Sequence, residues 1–362
     1  MKTLNWIVST MLALTMLIWT GCAIPGQEGK KAQDAFLTLM TWNVHNLFDG
    51  NDDGFEYAEF RQSSGWSQEK YMDRIYAISA AISDISRQPD IILLQEIESL
   101  VVLEDLAAAL PAGYSWSHFA GNYGAAVGIG IISRLPLGES MAHSIAIEGQ
   151  ISPRPVLEVR VDNEDESFVI FINHWKSKLG GDDATEPLRR ASARVILRRL
   201  RELWEEDPEL GIIVAGDLNL NHDDFYRRGA NTITALIPDD FFCAQAAGTQ
   251  NDFFVLSRNK PPEPEFFSND YIVLFSPWME DLENGSYYYA YNWETIDHFL
   301  LSCHFFNDFG WEYEQAMVID QQPFANANGI PQGYNERTGF GLSDHLPLLV
   351  TFSKRQPLHQ EN

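Results

Sequence analysis

Basic residues are scarce in this chain of 362 residues. Lysine and arginine number 25 against 51 aspartates and glutamates, which gives a formal net charge of −26. A field of that sign repels polyanions and attracts metal cations, whereas a tight nucleic-acid binder normally carries the opposite balance. The charge therefore argues against a broadly basic nucleic-acid-binding protein. It is compatible with a metal-dependent protein in which only a local cleft is positive.

A long apolar run is also lacking. The chain opens with Lys2 and an apolar run over residues 6–19, which is too short to span a bilayer core of roughly 30 Å. Residues 1–22 are therefore predicted to be a secretion signal. A cysteine after a small residue at the end of such a signal resembles a bacterial lipobox, which predicts a lipidated Cys22 and a protein anchored in the cell envelope. Trp19 stands where leucine is usual, so ordinary cleavage to a periplasmic or secreted protein stays open.

Cysteine is rare, with Cys22, Cys243 and Cys303 as the three examples. Export places Cys243 and Cys303 in an oxidising compartment, where a disulfide is stable. Two cysteines in a large domain are just as often free and buried. The sequence leaves their pairing open.

Repeats of fixed period are absent as well, and 45% hydrophobic content is enough for a folded globular protein. Residues 23–36 are mostly polar and are predicted to be a tether. A folded domain is expected over residues 37–354, followed by a short tail over 355–362. The stretch from 221 to 291 is rich in proline and aromatic residues and is predicted to be a loop-rich insertion.

Apolar periodicity predicts many strands and few helices. A helical period over Met72–Ile85 precedes a continuous apolar run at Ile91–Leu94, which indicates a helix that leads into a buried strand. A second helix is predicted around the arginine-rich stretch near Arg189. Because helices separate only some of the strands, two packed sheets covered by helices are expected. The other predicted strands are Phe36–Trp42, Val127–Ser133, Val156–Val161, Phe168–Asn173, Ile212–Ala215, Phe299–Ser302 and Pro347–Phe352.

Polar side chains follow or precede these apolar runs. Each one alone is explained by the preference of Asp, Asn and Gly for turns. Together they supply carboxylates, amides and imidazoles with few thiols, which suits Mg²⁺, Mn²⁺ or Ca²⁺ and not a structural zinc. The residues concerned are Asn43, Glu96, His174, Asp217, Asn219, Asp297, Asp344 and His345.

A separate acidic stretch resembles half of a calcium loop. The positions of Asp49, Asn51, Asp53 and Gly54 match the first part of an EF-hand. The bidentate glutamate expected at position twelve is replaced by Phe60, with a glutamate one place early. A loop at the rim of a cleft is therefore the favoured interpretation of residues 49–59, with a calcium site as the alternative.

The ordered set of motifs resembles the endonuclease/exonuclease/phosphatase superfamily, which includes deoxyribonuclease I and exonuclease III. The resemblance covers residues 37–354 and implies a catalytic domain with a four-layered α/β sandwich, in which two mixed sheets pack face to face between helices. The motifs are Trp42-Asn43, Leu94-Gln95-Glu96, Gly130 to Arg134, Asn173-His174-Trp175-Lys176-Ser177, Gly216-Asp217-Leu218-Asn219, Ile296-Asp297-His298 and Ser343 to Pro347.

The resemblance also implies a role for each residue. Glu96, Asn43 and Asp344 are expected near the metal, which is Mg²⁺ or alternatively Mn²⁺ or Ca²⁺. Asp217 and Asn219 are expected to orient the water and the phosphate, and His345 to pair with Asp297. His174 and Arg154 are expected to contact the phosphate, with His174 as a general acid. No partner carboxylate for His174 is evident, and either His345 or Asp217 could remove the proton from water.

The expected function is an exported, metal-dependent phosphodiesterase, in the first instance an endonuclease. The alternatives are a hydrolase of phospholipid head groups or small phosphate esters, and a non-catalytic surface lipoprotein on the same fold. A nuclease requires a locally basic cleft, predicted from Arg134, Arg154, Lys176, Lys178, Arg189 and Arg190. A lipid hydrolase is expected to expose aromatic residues, although the aromatic stretch Phe253–Trp278 is more typical of a core.

Overall fold

The computed structural model describes residues 35–147, 150–162, 166–240, 252–262, 271–280 and 282–355. The predicted signal peptide, Cys22, Cys243 and most of the tether and tail lie outside the described residues, so the predictions about them stay predictions. Cys303 forms no disulfide with any described residue. No helix in the described part of the chain is long and apolar enough to cross a membrane.

The described residues form eighteen strands and four helices. The strands are β1 (Phe36–Leu47), β2 (Ile91–Ile97), β3 (Trp116–Ala120), β4 (Gly128–Ser133), β5 (Leu137–His143), β6 (Ala146–Ile147), β7 (Gln150–Ile151), β8 (Val156–Val161), β9 (Phe168–His174), β10 (Gly211–Asp217), β11 (Leu236–Pro238), β12 (Phe254–Ser257), β13 (Val273–Phe275), β14 (Tyr287–Tyr289), β15 (Asn292–Glu294), β16 (Asp297–Leu301), β17 (Gly310–Val318) and β18 (Leu348–Arg355). The helices are α1 (Gln68–Ser83), α2 (Leu100–Ala109), α3 (Asp182–Glu206) and α4 (Asp224–Arg227).

Two large mixed sheets form the centre of the domain. The six-stranded sheet has the order β17-β18-β1-β2-β4-β3, and the eight-stranded sheet has the order β11-β12-β13-β16-β10-β9-β8-β5. A buried apolar cluster joins their facing sides, with Leu39 and Leu93 from one sheet and Ile170 and Ile213 from the other. Helices α1 and α2 pack on the outer face of the first sheet and α3 on that of the second. The predicted four-layered sandwich is confirmed.

The predicted insertion is partly wrong, because its described residues include the strands β11, β12, β13 and β14. Strands β11, β12 and β13 extend the edge of the eight-stranded sheet. They are too short for periodicity to distinguish them from loops. Within the described part of Phe253–Trp278, the aromatic side chains of Phe253, Phe254, Phe275 and Trp278 are buried. The expectation that they belong to the core is confirmed for these residues.

Parallel pairing brings the polar strand ends to one edge. Strand β1 pairs in parallel with β2, and β9 pairs in parallel with β10, with Asp217 directly opposite His174. The register between β1 and β2 shifts after Asn43, and that between β2 and β4 shifts after Gln95. Such irregularities re-aim side chains. Here they occur next to two of the predicted site residues.

Gly216 allows β9 and β10 to end side by side. Its φ is +124°, and a Cβ atom at this position would lie 2.1 Å from the carbonyl oxygen of Asn173. A real Cβ atom does not tolerate that distance, and an L-residue rarely adopts that φ. Only glycine therefore permits the approach that places Asp217 opposite His174.

We expect Gly216→Ala to lower the free energy of unfolding by about 3 kcal/mol, because a steric clash adds to the backbone strain. Gly180→Ala is the matched control. Its φ is +103° and an added Cβ would meet no atom within 4 Å, so only the strain of about 1 kcal/mol is expected. Denaturant unfolding of both variants measures the difference, and equal losses would contradict the role of the close approach.

Candidate active site

Two residues of the site have strained backbone conformations. Glu96 has a φ of +66° and Asn219 a φ of +51°, both in the left-handed region that residues other than glycine rarely occupy. Each of these conformations costs of order 1–3 kcal/mol, and such residues cluster at functional sites. Both side chains line a common cleft, Glu96 from within β2 and Asn219 from the segment that follows β10.

Arg74 holds the backbone that follows Asn43. This fully buried arginine on α1 donates to the carbonyl oxygens of Asn46 and Val44 at 2.6 Å, and also to that of His45. Its guanidinium lies 4.0 Å from the centre of the Tyr334 ring. The carbonyls it satisfies belong to an irregular segment in which two residues have positive φ. Arg74 therefore fixes the backbone near the carboxyl end of β1.

Four polar side chains meet where β1, β2, β9 and β10 end. The Nδ2 atom of Asn43 donates to Glu96 Oε1 at 3.2 Å and to Asp217 Oδ2 at 3.1 Å. The Nε2 atom of His174 lies 3.6 Å from the same Glu96 oxygen and 3.5 Å from the same Asp217 oxygen. The structure thus places two carboxylates beside His174, for which none was evident in the sequence. We name these four residues, Asn43, Glu96, His174 and Asp217, the polar quartet.

Burial sets the protonation of two of these groups. It raises the pKa of Asp217 to about 7, an effect that the charge of His345 opposes and that of Asp297 reinforces. Burial also lowers the pKa of His174 well below its usual value, and the positive charge of Arg154 adds to this. His174 is therefore a neutral imidazole at pH 7, whereas Asp217 titrates near neutrality.

His345 belongs to a buried chain of hydrogen bonds. Its Nδ1 atom lies 2.8 Å from Asp297 Oδ2, and the Ser286 hydroxyl donates to the same oxygen at 2.6 Å. Burial opposes a charged His345, but the charge and hydrogen bond of Asp297 outweigh it and raise the pKa of His345 to about 10. The predicted pairing of His345 with Asp297 is thus present, and it favours an imidazolium.

The carbonyl oxygen of Trp175 positions the two predicted phosphate-binding groups. It accepts from Asn219 Nδ2 at 3.1 Å and from Arg154 Nη1. The backbone N–H of Asn219 donates in turn to Asp217 Oδ1 at 2.9 Å. Arg154 and Asn219 therefore lie together on the side of the cleft where Asp217 lies.

A cleft of about 550 Å³ contains nearly all the predicted site residues. Asp297 is the exception, because it lies behind His345 and is fully buried. The lining residues are Asn43, Glu96, Arg154, His174, Ser177, Lys178, Leu179, Gly180, Asp217, Asn219, Tyr287, Tyr289, Glu294, Ile296, Asp344 and His345.

The donor set in this cleft fits a divalent cation. Glu96 and Asp344 both line it and supply carboxylate oxygens. The amide oxygen of Asn43 accepts from the His45 N–H at 3.0 Å and retains a second lone pair. Mg²⁺ is usually held by one or two carboxylates and keeps several waters. The three predicted metal ligands therefore suit such an ion.

A second group of possible ligand atoms is better explained as a hydrogen-bonded chain. Among the described residues, one atom each from Asp217, Asp297 and His345 lies within 4.8 Å of the others. Asp297, however, is fully buried, and its Oδ2 already accepts from Ser286. Hydrogen bonds within the protein therefore account for this group without a cation.

The EF-hand-like loop uses its carboxylate oxygens internally. The buried Glu56 accepts from the backbone N–H groups of Asp53 and Gly54. No set of converging cation ligands within the described residues includes this loop. Burial raises the pKa of Tyr57 and the charge of Glu96 adds to it, which places the loop beside the cleft. The prediction of a rim loop is supported by this proximity.

The predicted basic cleft is mostly wrong. Acidic residues outnumber basic ones about two to one, and most of the cations concerned are bound to carboxylates. Lys178 lies 2.7 Å from Asp224, and Arg189 is fully buried between two acidic side chains of α3. Arg190 pairs with Asp252 at 2.6 Å, and Arg134 lies 3.8 Å from Asp90. Of the lysine and arginine side chains that line the cleft, Lys178 is paired with Asp224, and Arg154 has no carboxylate partner among the described residues.

Sequence reasoning missed several residues that build the site. Arg74 interrupts the apolar face of α1 formed by Tyr71 and Ile78, and a charge at such a position was a usable signal. Ser286 and Tyr287 lie in a tyrosine-rich stretch with no strand or helix period, so nothing indicated that they contact His345 and Asp297.

The fold and this cleft define a class of phosphoester-hydrolysing enzymes. Residues 38–231, more than half of the chain, match the model of the Endonuclease/Exonuclease/phosphatase family. The chain belongs to this family, as its motifs predicted. No curated protein sequence matches the chain.

Solved structures share the fold at low sequence identity. Truncated TDP2 from Caenorhabditis elegans is 13% identical with a TM-score of 0.53, covering 88% of this chain and 97% of that chain. TDP2 from D. rerio, complexed with a single-strand DNA product, is 16% identical with a TM-score of 0.52, covering 88% and 99%. A family protein from Bacteroides thetaiotaomicron is 16% identical with a TM-score of 0.51, covering 90% and 100%. At these identities the likeness shows the fold alone.

We expect Arg74→Met to lower the free energy of unfolding by about 3 kcal/mol, because it leaves buried carbonyls without donors. Divalent-ion binding should weaken as well, because Asn43, a predicted metal ligand, directly precedes the backbone segment that Arg74 holds. Arg87→Met is the control, because Arg87 covers the exposed ring of Phe36, and its loss should change stability by about 0.5 kcal/mol or less. Denaturant unfolding and calorimetric metal titration measure both effects. Equal stability of the two variants would contradict the anchoring role.

Replacement of Asp297 by asparagine should lower the pKa of His345, because burial remains while the opposite charge is lost. NMR titration of the imidazole signals in metal-free protein measures this. The wild-type ring should stay charged above pH 8, and the Asp297→Asn ring should lose its proton at lower pH. Asp84→Asn, which changes an acidic residue at the end of α1, is the control. An unchanged midpoint in Asp297→Asn would contradict the assigned pairing.

Proposed function

We propose that this protein is an exported, divalent-metal-dependent phosphodiesterase that cleaves a P–O bond by in-line attack of water. The observation that carries the proposal is the polar quartet, in which Asp217 titrates near neutrality, together with the charged His345 that lies next to Asp217. Export, with a lipid anchor at Cys22, is the localisation that the amino-terminal sequence favours. We propose Mg²⁺ as the ion, with Mn²⁺ or Ca²⁺ as alternatives.

Asp217 is the group best suited to accept the proton of water. His345 already carries a proton at pH 7, so it cannot take another. The carboxylate of Asp217 has a pKa of about 7, close to the working pH that favours general-base catalysis. The N–H of Asn219 and the amide of Asn43 fix its two oxygens. These observations support Asp217, and not His345, as the proposed base.

The remaining groups stabilise the charge that develops on the phosphoryl and leaving oxygens. The imidazolium of His345 supplies a positive charge, and the neutral His174 is a potential donor to the phosphate through its Nε2–H. Arg154 and Asn219 are proposed to bind the non-bridging oxygens. A bound cation, held by Glu96, Asn43 and Asp344, would polarise the phosphoryl group as a Lewis acid.

The cleft favours a diester that carries a single negative charge. Arg154 is the only lining cation without a carboxylate partner in the described ranges, and the many surrounding acids disfavour a dianionic monoester. Nucleic acid remains the first substrate class, since the related D. rerio structure holds a single-strand DNA product. Scarcity of free cations supports the second candidate, a small or lipid head-group phosphodiester.

Methyl p-nitrophenyl phosphate and p-nitrophenyl phosphate, offered with Mg²⁺, Mn²⁺ or Ca²⁺, test the proposal. The diester should be the better substrate, and hydrolysis should stop after metal chelation. Asp217→Asn should lower kcat by about 10²- to 10⁴-fold because it removes the base. His304→Gln should retain wild-type turnover, because His304 lies three residues beyond the carboxyl end of β16, away from Asp297 at its start.

Absence of turnover with all three ions, while the protein remains folded and binds metal, would contradict the enzymatic proposal. It would instead favour the non-catalytic lipoprotein. Equal turnover in Asp217→Asn and wild type would leave the activity in place and refute the assigned base.

A further inference from the structure

A tyrosine-rich hairpin, β14–β15, packs directly against the catalytic histidine. Tyr287 pairs with His345 through a backbone bridge, and their rings lie 4.7 Å apart at an angle of 37°. The residue before it, Ser286, binds Asp297 through its hydroxyl. The base of the hairpin is therefore fixed to the predicted catalytic pair, so its other residues have a defined position relative to the phosphate.

The tip of this hairpin is strained and exposed. Ala290 has a φ of +48° and Tyr291 a φ of +67°, although glycine or asparagine is usual in such two-residue turns. The Tyr291 side chain is 93% exposed, so packing against the described residues does little to offset this strain. Backbone strain that packing does not explain is typical of functional segments. The tip is therefore better suited to contact with a ligand than to stabilising the fold.

The hairpin also presents a graded series of ring faces. Tyr287 and Tyr289 are nearly parallel, with an angle of 11° and ring centres 6.3 Å apart, and both line the cleft. Exposure rises from the half-buried Tyr287 to Tyr289 at 65%. The outer face of Tyr289 is thus a flat, accessible π surface beside the phosphate position.

We propose that β14–β15 is a stacking platform for a nucleobase attached to the scissile phosphate, with Tyr289 as the main contact. This proposal rests on the proposed phosphodiesterase function and narrows its substrate to nucleotidyl diesters with unpaired bases. Every base has a π face, so stacking on a tyrosine recognises nucleotides without selecting their sequence. Bases paired inside a duplex do not offer that face.

The charge near the hairpin agrees with a short, unpaired substrate. Lys178 at the base of the hairpin is already paired with Asp224 at 2.7 Å and with Glu294 at 3.6 Å, so it offers little positive charge to a chain of many phosphates or to an anionic membrane surface. A single stacked nucleotide needs few cations, and Arg154 meets the one phosphate that reacts. A cleft with little free positive charge is therefore better suited to bind one stacked base than to bind the phosphate backbone of a long duplex.

Two esters with the same leaving group test the platform. Thymidine 5′-(p-nitrophenyl phosphate) carries a base, and methyl p-nitrophenyl phosphate does not, so the ratio of their kcat/KM values isolates recognition of the nucleoside. Tyr289→Ala should lower this ratio by about 5- to 100-fold, since one stacked base contributes that much. Tyr289→Phe should keep the wild-type ratio because the ring remains. Tyr76→Ala, which removes a tyrosine 59% exposed on α1, is the matched control and should leave the ratio unchanged.

An unchanged ratio in Tyr289→Ala would overturn the platform while leaving the phosphodiesterase proposal intact. If Tyr291→Ala loses binding to phosphatidylcholine vesicles while the kcat/KM ratio in Tyr289→Ala is unchanged, the hairpin contacts a lipid surface and not a nucleobase. If the wild type hydrolyses neither ester, the proposed function fails, and the platform is tested by binding alone. In that case Asp217→Asn should bind the single strand dT₆, and adding Tyr289→Ala should weaken this binding about 5-fold or more; equal binding would overturn the platform.

Discussion

The buried position of the Asp217 carboxylate is the constraint on which the rest of the site depends. One oxygen meets Asn43 and His174, and the other accepts from the backbone of Asn219. A carboxylate removed from water in this way holds its proton more tightly, which moves its pKa to about 7. The same burial keeps His174 neutral. The environment thus assigns different protonation states to neighbouring groups, as acid–base catalysis requires.

This arrangement follows from the way the sheets end. Parallel pairing carries the polar residues near the carboxyl ends of β1, β2, β9 and β10 to one edge. Gly216 lets the last two strands approach without a side chain between them. The hairpin β14–β15 then covers His345 from the side. Fold and site are therefore linked at the level of individual backbone contacts, because the residues that complete the sheets also position the reacting groups.

Much of the fold and of the site could be predicted from the sequence, but the charge of the cleft could not. Asn43 and Glu96 follow apolar strands so closely that their convergence could be expected, and the central strands and the α1 and α3 helices were found from periodicity. The prediction of a basic cleft was wrong because ion pairing depends on which residues are neighbours in three dimensions. Lys178 meets Asp224 across 46 positions, and Arg190 meets Asp252 across 62. The Tyr287 contact with His345 is likewise invisible to any local pattern.

The stereochemistry of hydrolysis at phosphorus tests the central claim most directly. The Mg²⁺-loaded enzyme would be given a chiral phosphorothioate diester in ¹⁸O-labelled water, and the configuration of the product would be determined. Direct in-line attack of a water molecule activated by Asp217 predicts one oxygen-18 bound to phosphorus and inversion of configuration. Retention would reveal a covalent enzyme intermediate, and oxygen-18 bound to carbon would reveal C–O cleavage; either result would contradict the account.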